Sequence, residues 1–297
     1  MDIVSLRSHA DDGLPFRIKL ESVNKGIGLA ALLLPFALLF ISALGNTCPG
    51  IDSISHYYYS RLGGDILVGT LCFIGLQMTF FYHLPAAPGG REQAVDGYLG
   101  HNKWDIRAAR FAGLCAFGVA LVPTSGKGCE DYGGLVSRVF LKDSQGGHAV
   151  QSPDAPLEGT ASFDFWPTFG INAEIFTMIH YAAAAGMFLV LAYYSLVVFT
   201  RPQSPASVTP TGRSVANKRL RNLLYRIFGG LILVALGALL YKFIRYLGLD
   251  DPIGGFAGWN RANLTFWFET LGLVAFGLSW CLKGRLFGLL RDDPPPA

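Results

Sequence analysis

Six stretches of this chain are long and apolar enough to cross a bilayer, and nothing else in it narrows the choice of fold so far. They run over 26–44, 65–82, 106–123, 174–199, 225–247 and 264–282. A spanning helix needs about 20 mostly apolar residues, because hydrocarbon offers the backbone no water to bond. Composition agrees. Only 15% of the 297 residues are charged, against about 25% in soluble domains, and mean hydropathy is +0.37. The expected fold class is all-α: a six-transmembrane-helix bundle, with Pro35 inside the first helix and an irregular extracytoplasmic cap loop. The net charge of +3 gives no reason to expect nucleic acid as a partner; the expected partner is the lipid bilayer.

Orientation follows from where Lys and Arg collect, since cytoplasmic loops hold the excess. The N-terminal segment 1–25 holds Arg7, Arg17, Lys19 and Lys25. The second loop holds Arg91 and Lys103, with Arg107 and Arg110 just beyond. The linker 201–224 holds Arg201, Arg213, Lys218, Arg219 and Arg221, and the C-terminus holds Lys283, Arg285 and Arg291. With six spans all four segments fall on one side, which places both termini in the cytoplasm. The first loop carries only Arg61 and the fifth only Arg261. Loop 124–173, rich in Gly and Pro, then forms an outer cap. The linker reads as flexible and ending in a basic helix start, and the tail 292–297 as disordered. The N-terminal segment lacks the short apolar core of a cleavable signal, so the first span reads as retained. Tyr193, Tyr194, Tyr246, Trp267 and Trp280 near span ends fit interfacial belts. Runs of small residues, Ala182–Ala185 with Gly186, and Gly229, Gly230, Gly237, Gly272 and Gly277, suit close helix approach.

This topology brings several ionisable residues to one depth. Asp65, His180, Lys242, Arg245 and Glu269 all fall in the outer half of their spans, below an aromatic loop that contains Ser53, Ser55, His56 and Tyr57–Tyr59. Each has a plain account. Lys242 and Arg245 can snorkel outward, Asp65 can cap a helix N-terminus, and His180 can bond a backbone or hydroxyl group. Glu269 is harder to place, because a charge at a helix centre costs about 2.5–3.5 kcal/mol on insertion scales. It is expected to pair with Lys242 or Arg245, or to stay protonated. The functional account gathers Asp65, His180 and Glu269 around one outward-facing polar pocket, with His56 at its mouth. The inner half offers little polar beyond Gln77, Thr79 and Ser195.

The run S-I-S-H-Y-Y-Y-S at 53–60, followed by G-D-I-L-V-G-T-L at 64–71, resembles a pattern in uncharacterised bacterial multi-pass inner-membrane proteins. So do the segments starting at Phe266 (FWFETLGLVAFGLSWCLKG) and Ile179 (IHYAAAAGMFLVLAYYSL). The resemblance implies a bacterial inner-membrane location and no particular activity. A more limited likeness, carried by Ser53 or Ser55, His56 and Asp65, is to the membrane hydrolase superfamily of alkaline ceramidases and progestin-receptor-like proteins. It implies zinc-dependent lipid hydrolysis. The six spans and the lack of a late HxxxH pair depart from that pattern.

Three functions stay open. The outward pocket binds a lipid or small ligand or docks a membrane partner; or the chain is a metal-dependent lipid-modifying hydrolase; or it is a small-solute transporter. No cofactor is required by the first, whereas the second would need zinc. Among five cysteines, Cys72, Cys115 and Cys281 read as packing residues. Cys48 and Cys129 sit in outer loops, where an oxidising compartment would sustain a disulfide between them.

Overall fold

Without water to bond, the apolar runs must close their own backbone hydrogen bonds, and they do so as helices. The structure, a computed structural model, describes residues 20–44, 53–59, 61–82, 101–122, 124, 141–142, 162–163, 173–202, 204–209, 211–248, 257–286 and 288–290. Helix α1 is Leu20–Ala43, with Pro35 inside it. Helix α2, Arg61–Leu76, ends in a π-helical turn, Gln77–Phe81. Helix α3 is Lys103–Leu121. Helix α4, Ala173–Tyr193, also ends in a π turn, Tyr194–Val198. Helices α5, α6 and α7 are Ala216–Gly248, Ala257–Arg261 and Leu264–Lys283.

Small residues set how these helices meet. A Cβ on Gly113 of α3 would stand 2.8 Å from the Gly75 carbonyl of α2. One on Gly118 would stand 3.0 Å from Ala183 of α4, and one on Gly229 of α5 would stand 2.5 Å from Leu196. The last long helix returns to the first: a Cβ on Gly28 of α1 would lie 2.5 Å from the Cys281 amide nitrogen of α7. These pairings alternate in direction. One end of the bundle, here the base, therefore collects the start of α1 and the end of α7. A Cβ on Gly284 would meet the Lys25 amide there at 2.7 Å, and Arg221 donates to the Leu290 carbonyl. The opposite end, the crown, holds the 3₁₀ segment Ile54–Tyr59 and the starts of α2, α4 and α7.

The molecule is apolar outside and partly polar within. Leu33, Phe40, Phe80, Leu114 and Ile244 are more than half exposed, whereas Asn24, Asp105, His180, Lys218, Ser195 and Ser279 are buried. Water would penalise such a surface; lipid would not. Among the described residues, five helical segments are long and apolar enough to cross a membrane: Glu21–Ala43, Leu62–Phe81, Thr177–Val198, Ala216–Arg245 and Leu264–Lys283. Helix α3 falls outside this group because Lys103, Asp105, Arg107 and Arg110 charge its first turns. It starts with a capping box, in which the Asn102 side chain accepts from the Asp105 amide while Asp105 accepts from the Asn102 amide; this satisfies two of the orphan donors of a helix start.

Three sequence expectations change. Helix α5 begins at Ala216, within the basic end of the linker where a helix start is expected, so it overlaps residues assigned to the linker; its 33 residues extend about 50 Å at 1.5 Å per residue, more than the hydrocarbon alone needs. The linker is folded where it was expected to be flexible. Val208 and Ser214 form an antiparallel bridge, the Thr209 amide donates to the Arg213 carbonyl at 2.7 Å, and Gly212 supplies the positive φ of 79° in the turn. Tyr194 and Trp280 are fully buried and so belong to the core, not to an interfacial belt. Of the cap, Leu141–Lys142 and Ser162–Phe163 form a two-residue antiparallel pair. The Cys48–Cys129 pairing and the tail 292–297 lie outside the described residues, while Cys115 and Cys281 are buried thiols.

Candidate functional site

The crown site is built on the 3₁₀ segment, whose turn starts with the His56 amide donating to the Ser53 carbonyl at 3.2 Å. Ser53 Oγ accepts from the Ser55 amide at 3.2 Å. It also donates to both carboxylate oxygens of Glu269, at 2.9 and 3.0 Å. The Ile54 amide donates to Glu269 Oε2 at 2.5 Å. Glu269 thus caps the free amide end of the segment, where a carboxylate is favoured by the local dipole. These bonds answer the cost of placing Glu269 inside α7, through a partner on the loop.

A second chain of bonds runs through Ser55. Its hydroxyl lies 2.9 Å from His180 Nε2, and His180 Nδ1 lies 2.6 Å from the Val122 carbonyl oxygen at the end of α3. His180 is 3% exposed, so its ring is fixed by these two contacts. A carbonyl only accepts, so Nδ1 carries the proton toward Val122; in the neutral ring Nε2 is then the acceptor and Ser55 the donor. Backbone and hydroxyl are the two kinds of partner expected of His180. A zinc ion there would have to take a nitrogen that one of them now holds. Among the described residues no three His, Cys, Asp or Glu side chains gather as a metal group.

The segment also reaches α1, where Tyr57 and Ser42 hydroxyls lie 2.6 Å apart. Burial raises the Tyr57 phenol above its ordinary range, and the Ser42 bond offsets part of the rise. One short turn is therefore bonded to α1, α4 and α7, and through His180 to the end of α3.

The sequence candidates fall as follows. His56 is half-buried on the segment itself. His180 and Glu269 both meet the segment, through Ser55 and Ser53 respectively. Lys242 donates to Thr265 at 2.7 Å; Thr265 lies four residues before Glu269, hence on the same face of α7. Asp65 and Arg245 are exposed on α2 and α5, in contrast to the buried His180.

A second polar cluster, at the base, was not anticipated. Asp105, fully buried, takes Arg201 Nη1 at 2.7 Å and the Tyr193 hydroxyl at 2.8 Å. Arg201 Nη2 also donates to the Tyr193 oxygen at 3.1 Å. Burial pulls the Arg201 guanidinium down, but its bonds to Tyr193 and Asp105 outweigh this and hold it above its ordinary range. Lys218, 1% exposed, donates to the Phe199 carbonyl at 2.7 Å. The available signal was Asn102 three residues before Asp105, a helix-start pattern that marks Asp105 as a first-turn acid. The base is thus more polar than Gln77, Thr79 and Ser195 suggest.

The fold and the two clusters define a class, a multi-pass membrane-embedded helical bundle. Comparison with family models, curated proteins and solved structures finds no match to this chain.

Proposed function

We propose that this is a six-span membrane protein with both ends in the cytoplasm, whose outward-facing crown site binds the polar part of a lipid or another small amphiphile. Support for α3 as the sixth span comes from its 19 residues, about 28 Å at 1.5 Å per residue, and from its antiparallel seat between α2 and α4. Its charges lie near the base, where Arg107 and Arg110 can extend their stems to the interface. The Lys- and Arg-rich linker lies at the same end, as a cytoplasmic base requires.

One observation carries the ligand reading. The Ser53–Tyr59 turn is held among four helices at the crown, which sets His56 and Ser55, both half-buried, beside an apolar exterior. Hydroxyl, imidazole and the nearby Lys242 ammonium supply donors and the Glu269 carboxylate supplies acceptors at headgroup level, while the exposed helix faces are apolar, as acyl chains require. The test is mass spectrometry of protein purified in mild detergent. Wild type is expected to retain a bound amphiphile that Glu269→Ala loses. Wild type free of any such adduct, or an adduct unaffected by Glu269→Ala, would overturn the assignment.

A further inference from the structure

The geometry at Ser55 points to chemistry: we propose that Ser55 is an acyl-transfer nucleophile with His180 as its general base, acting on a carboxylic ester of an amphiphile. The proposal rests on the ligand reading above for its substrate. A serine hydroxyl attacks only when a base within about 2.6–3.2 Å removes its proton and a third group fixes that base. All three parts are present. Ser55 Oγ stands 2.9 Å from His180 Nε2. Val122 O holds Nδ1 at 2.6 Å, which commits the Nε2 lone pair to Ser55. Here a backbone carbonyl orients the imidazole where a serine protease uses a carboxylate.

The surroundings fit. His180 is 3% exposed while Ser55 is partly exposed on the turn, so the base is sheltered and the nucleophile is reachable. Glu269, through Ser53 Oγ and the Ser55 amide, positions the nucleophile without touching the reacting atoms. In the first step the Ser55 O–H proton passes to Nε2 and Oγ bonds the ester carbon. The ester C–O bond then breaks, and the leaving alkoxide takes the proton from Nε2. Water from the outer face repeats the sequence on the acyl-serine: it yields its proton to Nε2, releases a carboxylic acid and restores Ser55. Electrons and protons balance without a metal or redox partner. An ester of an amphiphile is the class such a site would meet, because its head lies at the level of the turn and its tails lie along the apolar helices.

The test treats detergent-purified full-length protein with an alkyl fluorophosphonate and maps the adduct by peptide mass spectrometry, scoring retained lipid on the same samples. Expected is an adduct on Ser55 that disappears in Ser55→Ala and forms about 100-fold more slowly, or slower still, in His180→Gln. Glutamine can still bond Ser55 and Val122 but takes no proton, so a merely structural histidine would leave the labelling rate unchanged. Wild type without an adduct on Ser55, or His180→Gln labelled at the wild-type rate, overturns the proposal even if His180→Gln were unstable, since the first reading uses wild type alone. Retained lipid with no adduct sinks the nucleophile and spares the ligand reading. An adduct without retained lipid supports the nucleophile and sinks the ligand reading.

Discussion

Gly28 and Gly277 decide how near α1 and α7 can come. A Cβ on Gly277 would stand 2.6 Å from the Leu32 amide nitrogen, and one on Gly28 would stand 2.9 Å from the Gly277 carbonyl. Both obstacles are backbone, which cannot swing aside as a side chain can. Gly277→Ala is therefore expected to lower stability by about 1–3 kcal/mol, the range for overpacking. Gly230→Ala, with nothing within 4 Å of its added carbon, is expected to lose nothing. Thermal unfolding of the two variants in detergent distinguishes them; equal midpoints would contradict the account. The pair also marks how far residues were legible. Small residues signalled packing, and at Gly229, Gly272 and Gly277 that is their role. At Gly230 and Gly237 the α-carbon faces open space, because the same residue type serves either face of a helix and sequence does not say which face is turned inward.

At the scale of elements, the 3₁₀ turn depends on side chains more than on its own backbone. Ser53 shares its one hydroxyl proton between the two carboxylate oxygens of Glu269 and receives a bond from the Ser55 amide. Ser53→Ala is expected to free the turn while the long helices stay folded. Losing bonds worth about 1–2 kcal/mol should speed amide exchange over residues 54–59 about 5- to 30-fold. Hydrogen exchange read by mass spectrometry checks this, and an unchanged rate would show that the Ser53 bonds do not hold the turn. The long helices were readable because an apolar run of membrane length has few other folds. The linker was not. Its Pro, Ser, Thr and Gly suggest flexibility, yet buried Ser204 and Ser207 bond within it and buried Lys218 anchors it to Phe199. Composition does not reveal such pairings.

For the whole molecule, the alternation of helix direction places 201–215 at the base. Reporter fusions after Arg213 are expected to report cytoplasm, and fusions after Gly147 the outer side. The reverse at either position would overturn the proposed topology. The depth of the candidate site was legible, since His180 and Glu269 lie near the crown as their positions along the spans imply. Their partners were not. Ser53 and Glu269 are separated by 216 positions, and nothing in either segment names the other. Asp65 illustrates the same limit: shared depth placed it with His180, but its side of α2 is exposed.

Because Gly28 packs on Cys281, nearly the whole chain must emerge before its first helix finds its last neighbour. During synthesis α1 waits without the backbone of α7 that closes against Gly28 and Leu32 in the finished protein. Contacts so distant in sequence form late and leave intermediates open to misassembly. A chain that stops short of α7 would leave that face of α1 without its neighbour, a ready mark by which a membrane protease could tell an unfinished copy from a complete one.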